Sequence, residues 1–161
     1  MTELTRRIGA PPAAVFAALL DPDDVRRWMV PDGMTSEIHS FDRREGGTFR
    51  ISLTYDDVTR EGKTGAQTDT FHGRFVKVVP SSEVVQVVEF ETDDPSLQGE
   101  MTVTYLLVES DGSTIVTGRH DRLPPGVSAT DNELGWRMSM DQLAALVESR
   151  SPDERGRRAP T

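Results

Sequence analysis

Three histidines, His39, His72 and His120, fall on three separate segments of alternating polarity. Histidine trades a proton near neutral pH, and three imidazoles brought to one face could hold zinc. No short ligand spacing joins these three, so no metal is expected. Arg119 shares parity with Ile115 and Thr117. On an inward-facing reading it needs a carboxylate partner such as Asp121 or Glu89, or it grips an acidic ligand through its guanidinium fork. A surface arginine is the alternative, and Arg74, opposite in parity to Phe71 and Phe75, poses the same choice. Together His39, Arg119 and Tyr105 supply groups that could polarise a carbonyl. The acidic pairs Asp23-Asp24, Asp56-Asp57 and Asp93-Asp94 stand at turns or helix starts. Adjacent residues on a strand point to opposite faces, so capping and solvation explain these pairs better than acid–base catalysis. The chain has no Gly-x-Ser-x-Gly elbow, phosphate-cradling glycine loop or dinucleotide fingerprint. Neither a nucleophile nor a cofactor is expected.

The composition narrows the function classes. With 161 residues the chain suits one domain with a real core. A formal net charge of −9 repels nucleic acid and anionic membrane. The basic cluster Arg155, Arg157 and Arg158 sits in a polar terminal stretch. There are 0 cysteines, which removes disulfides and thiolate chemistry. The opening Met1–Arg7 has no apolar signal-peptide core, and no apolar run reaches membrane-spanning length. Cytoplasmic residence is the expectation, without nucleic-acid binding or membrane insertion.

The elements that must position these residues follow from periodicity. Thr2–Gly9 reads as a strand. Pro11-Pro12 opens a helix, where proline's missing N–H costs nothing, with Val15, Phe16, Leu19 and Leu20 on its apolar side. Asp21 caps a second short helix carrying Val25, Trp28 and Met29. From Met34 the period becomes two: strands are predicted at Ser36–Asp42, Thr48–Tyr55, Gln67–Val79, Glu83–Glu91, Met101–Val108 and Ser113–His120. Asp56–Gly65 reads as a charged hairpin loop, Gly73 as a bulge, Glu83–Glu91 as a central strand, and Asp111-Gly112 as a tight turn. Thr130 with Glu133 predicts a capping box. The final helix then presents Trp136, Met140, Leu143 and Val147 at i, i+4, i+7 and i+11, one face. Residues 1–150 form the predicted domain, and 151–161 a disordered polar tail.

This order and its punctuation resemble the START-like (SRPBCC) superfamily, and within it the homologues of the activator of the heat-shock-protein-90 ATPase. The resemblance rests on Ile8-Gly9-Ala10-Pro11-Pro12-Ala13-Ala14-Val15-Phe16, Leu20-Asp21-Pro22 followed by Trp28, and Glu45-Gly46-Gly47-Thr48-Phe49. It continues through the Gly73 strand closed by Pro80, Asp111-Gly112-Ser113-Thr114, and Gly135-Trp136 with its helical stripe. It implies an α+β helix-grip fold. A curved, six- to seven-stranded antiparallel sheet wraps around a long C-terminal helix, with two short helices after the first strand. It also implies an apolar pocket for lipids, polyketides or other hydrophobic molecules.

The leading expectation is therefore a non-catalytic protein binding a small hydrophobic molecule between sheet and final helix. Its expected lining is Trp28, Met34, Phe71, Phe75, Tyr105, Trp136 and Met140, with His39 and Arg119 as polar candidates. Trp28, Met29 and Met34 are placed near the mouth. Trp136 and Met140 read first as ordinary core, and a helix face in a grip is also a wall of the cavity. The second expectation is a polyketide cyclase or aromatase, with His39, Arg119 or Tyr105 polarising a substrate carbonyl. The third is a chaperone-associated stress-response protein acting through its surface. It ranks last because the eukaryotic chaperone activators carry a further N-terminal domain that these 161 residues do not include. A monomer or a homodimer is expected.

Overall fold

In the computed structural model, residues 1–56 and 67–150 are described. The expected loop at Asp56–Gly65, beyond its first residue, and the expected tail from Ser151 lie outside them. Strand β1 (Thr2–Ile8) leads into helices α1 (Pro12–Leu20) and α2 (Pro22–Trp28). Six strands follow: β2 (Met34–Phe41), β3 (Thr48–Tyr55), β4 (Thr68–Val79), β5 (Glu83–Phe90), β6 (Met101–Ser110) and β7 (Ser113–Asp121). Helix α3 (Ala129–Glu148) closes the order. The strands form one curled antiparallel sheet in the order β1-β7-β6-β5-β4-β3-β2, with β5 central.

Local chemistry explains the elements. Asp21 takes hydrogen bonds from the N–H groups of Asp23 and Asp24 at 2.9 and 3.3 Å, satisfying donors that the first turn of α2 leaves orphaned. Asp111 and Gly112 both hold positive φ, 52° and 81°, the pairing a two-residue hairpin needs to match strand twist. The alternation in β6 is realised: Met101, Val103, Tyr105 and Leu107 are buried on one face, and Thr102, Thr104 and Leu106 lie on the other. Inner residues of β7 are Thr114, Val116, Gly118 and His120, opposite Glu109, Leu107, Tyr105 and Val103. α1 is almost wholly buried from Ala14 to Leu20. It packs on β6 and β7, while α3 packs against β1, α1 and α2.

Three local expectations need correction. Gly73 is in register, opposite Phe49 and Val88; the irregularity in β4 falls between Phe75 and Lys77. Glycine is required at 73 because a Cβ there would stand 2.6 Å from Phe49 Cζ. Helix α3 starts earlier than the Thr130 cap: Ser128 is the N-cap and accepts from Asp131 N at 3.2 Å. Asp24 is not a solvated helix-start acid. It is 0% exposed and receives two hydrogen bonds from Arg150, at 2.6 and 3.1 Å. Arg150 lies beyond the periodic stripe, where sequence spacing gives no hint of its partner 126 residues away.

Candidate functional site

The candidate site centres on the point where Trp136 of α3 reaches over Gly118 of β7. A Cβ at Gly118 would overlap the six-membered ring of Trp136 and stand 3.1 Å from Met140 Cε. Only glycine lets the indole lie directly on the strand. Trp136 Nε1 then donates to His120 Nδ1 at 3.0 Å. Indole N–H donates only, so Nδ1 accepts, and the proton of the neutral imidazole sits on Nε2, 3.1 Å from Met101 Sδ. Asn132 Nδ2 donates to Thr2 Oγ1 at 3.0 Å and lies 3.4 Å from the same His120 nitrogen. Burial lowers the His120 pKa to about 4, against a smaller opposing pull from Asp121. The ring is therefore neutral and held at both nitrogens.

Tyr105 lies opposite Gly118. Its ring centroid is 5.4 Å from that of Trp136 and 6.1 Å, edge-on, from that of Trp28. Burial pushes the Tyr105 hydroxyl well above its ordinary pKa, so it is an O–H donor throughout the working pH range. Gln86 opposes Val103 on β5, which places its amide on the same inner face. Strand parity alone marks both Gln86 and His120, but only the inner face makes a polar residue at that parity informative. Gly118 had a readable signal, a glycine inside a strand, that sequence reasoning passed over.

The expected lining divides. Trp136, Tyr105 and Met140 come together with His120 and Met101. Phe71 is half-buried and faces Phe49 at 6.5 Å between centroids. Phe75 is 0% exposed, packed at 5.2 and 5.5 Å from Phe49 and Phe41, and is core. Met34 is half-buried at the start of β2, opposite Tyr55. Trp28 is not at a mouth: it is 1% exposed and its Nε1 donates to Ala18 O at 2.9 Å.

His39 and Arg119 do not join the others. Arg119 sits opposite Thr104 on the outer face, and its partner is Glu3 at 3.3 Å, not Asp121 or Glu89. The parity shared with Ile115 and Thr117 is real, but all three point away from the helices. His39 occupies the register shift in β2 and contacts Ser52 Oγ at 2.8 Å, again outside. His72 lies between Glu89 and Glu91, at 3.0 and 3.1 Å, and Arg74 pairs with Glu100 at 3.0 Å. The three histidines thus occupy three separate environments. Among the described residues, no group of three His, Asp or Glu is placed to hold a metal ion, and no helix is long and apolar enough to cross a membrane.

Comparisons place this architecture among known proteins. Residues 9–148 match the family described as "Activator of Hsp90 ATPase homolog 1-like protein". A crystal structure from Chromobacterium violaceum superposes with a TM-score of 0.81 at 30% identity, covering 91% of this chain and 96% of that one. One from Rhodobacter sphaeroides gives 0.73 at 21% identity, covering 91% of each chain. The solution structure of an AHSA1-like protein from Aeromonas hydrophila gives 0.66 at 19% identity, over 92% of this chain and 93% of that one. The last two likenesses concern the fold. No curated protein matches the chain. With the family match running from the entry to α1 through to the last residue of α3, the chain belongs to the Activator of Hsp90 ATPase homolog 1-like family, within the SRPBCC proteins.

Proposed function

We propose that this protein is a cytoplasmic, non-catalytic carrier or receptor of a small hydrophobic molecule. The ligand would lie between the inner face of the sheet and the first half of α3. One observation carries the reading. Ile38, Leu53, Phe71, Phe90 and Trp136 are large apolar side chains packed against the core yet only partly buried. The described helices pack on β1, β2, β6 and β7, so much of the apolar inner face of β3 and β4 has no helix laid upon it. Concave, mostly apolar surface with few polar groups is what small-molecule sites are made of. The non-catalytic reading is supported by the placement of His39 and Arg119 on the outer face, away from Tyr105, and by the neutral, doubly held His120. Cytoplasmic residence is supported by the absence of cysteine from the sequence.

Native mass spectrometry of the purified protein, with displacement of an environment-sensitive dye by lipids and hydrophobic metabolites, tests the proposal. A retained small molecule or competitive displacement is the expected result, weakened by Trp136→Ala. Absence of both, across a panel spanning fatty acids, sterols and aromatic compounds, would overturn it.

A further inference from the structure

Tyr105 and Gln86 are each 4% exposed, and among the described residues neither the Tyr105 hydroxyl nor the Gln86 amide makes a hydrogen bond. Neither group is among the fully enclosed orphan atoms, which among the described residues are Ser36 Oγ and Arg119 Nε; a donor that keeps an open edge on an otherwise apolar face is free to meet a ligand. The two are neighbours: Tyr105 opposes Val84 and Gln86 opposes Val103, a diagonal step on adjacent strands, about 7–8 Å between α-carbons. Nearby polar groups are committed elsewhere. Trp28 Nε1 bonds to Ala18, and His120 is held by Trp136 and Met101.

The charges at inner-facing positions are also spoken for. Arg150 is bound to Asp24, and Arg6 reaches past the edge of the sheet to Asp141 at 3.0 Å. Asp69, far along β4, is itself partnered. Among the described residues, no cation is left at an inner position to balance an acidic ligand. An ionised carboxylate brought onto this face would lose its hydration and gain no counter-charge.

We propose that the ligand is uncharged and carries one acceptor oxygen, a carbonyl or hydroxyl, which takes a hydrogen bond from the Tyr105 O–H with the Gln86 amide as second donor. This deepens the proposed function and rests on it. The prediction is a rank order among molecules of one shape: neutral oxygenated first, plain hydrocarbon second, carboxylate last.

Three naphthalenes of similar size provide the test: 2-acetylnaphthalene, 2-ethylnaphthalene and 2-naphthoate, titrated at pH 7.5 while following the Trp136 indole N–H resonance. The ketone is expected to bind about tenfold tighter than the hydrocarbon, the worth of one well-made buried hydrogen bond, and the carboxylate weakest. Tyr105→Phe, which keeps the ring, should collapse the ketone's advantage, and Gln86→Leu should reduce it. If the naphthalenes bind but the carboxylate equals or exceeds the ketone, or Tyr105→Phe leaves the advantage intact, the neutral-ligand proposal is wrong while the binding reading stands. If none of the three perturbs Trp136 or any other inner-face resonance, both fall together.

Discussion

The two halves of α3 are one helix with two occupations. All four of its fully buried residues, Met140, Leu143, Ala144 and Val147, lie in the second half. That half is also tied down by polar contacts: Gly9 N donates to Glu148 Oε2 at 2.6 Å, Arg6 Nε reaches Asp141 at 3.0 Å, and Arg150 closes on Asp24. In the first half, Ala129–Ser139, every residue keeps some exposure to solvent. Its described side-chain ties to the sheet are Asn132 to Thr2 and Trp136 to His120. A helix anchored in the core at one end can hold a site wall at the other without the wall having to be core. Local stability in such a helix is expected to be graded, low at the less buried end.

The contrast can be broken at its strongest point first. Asp24→Ala leaves Arg150 with a buried, uncompensated charge, and removing one partner of such a pair costs about 3–5 kcal/mol. Urea unfolding should show that loss; a change under 1 kcal/mol would mean the second half is not anchored as described.

Acidification reaches the first half through His120. Its folded pKa of about 4 lies below its ordinary 6.5. Between those values the unfolded chain binds a proton that the native ring refuses, so stability falls as pH drops through this window. Nothing is lost through this group above pH 6.5, and nothing further below pH 4. The full loss is roughly 3 kcal/mol. Subtracting the pH-stability profile of His120→Asn from that of the unmutated protein should isolate it; identical profiles would show that the ring is not held neutral.

Gly118→Ala forces the Trp136 ring off β7, at about 1–3 kcal/mol for overpacking. A red-shifted tryptophan emission should accompany the loss, whereas unchanged emission would mean that the ring does not rest on this strand. Smallest of all, Ser128→Ala removes the N-cap of α3 at a cost of about 1 kcal/mol. Hydrogen exchange should speed up in residues 129–133 and stay unchanged around Leu143. Equal acceleration throughout the helix would erase the distinction between its halves.

Much of this was legible in advance. Thr48–Tyr55 is a strand at the expected residues, Asp111-Gly112 turns as a two-residue hairpin should, and the stripe from Trp136 to Val147 does face the sheet. Local dihedral preferences and hydrophobic period act within a few residues, so they can be read from a few residues. What failed was of another kind. Parity established that Arg119 keeps company with Ile115 and Thr117, but not which face of the sheet the helices would cover. Asp24 looked like one more helix-start acid because its partner, Arg150, is 126 residues distant. His120 looked like its two fellow histidines until α3 brought Trp136 onto it.

The amino-acid order alone thus determined the seven strands and three helices, the antiparallel alternation and the family resemblance, because these arise from short-range sterics and from the period at which apolar side chains recur. The tertiary structure decided which face of the sheet became the interior. With that it separated Tyr105, Gln86 and His120 from Arg119 and His39, and divided α3 into a buried half and a half-exposed one. Those outcomes depend on contacts between separate elements, 16 residues apart for Trp136 and His120 and 126 for Asp24 and Arg150, whose free energy exists only once the sheet has curled and the helix has docked.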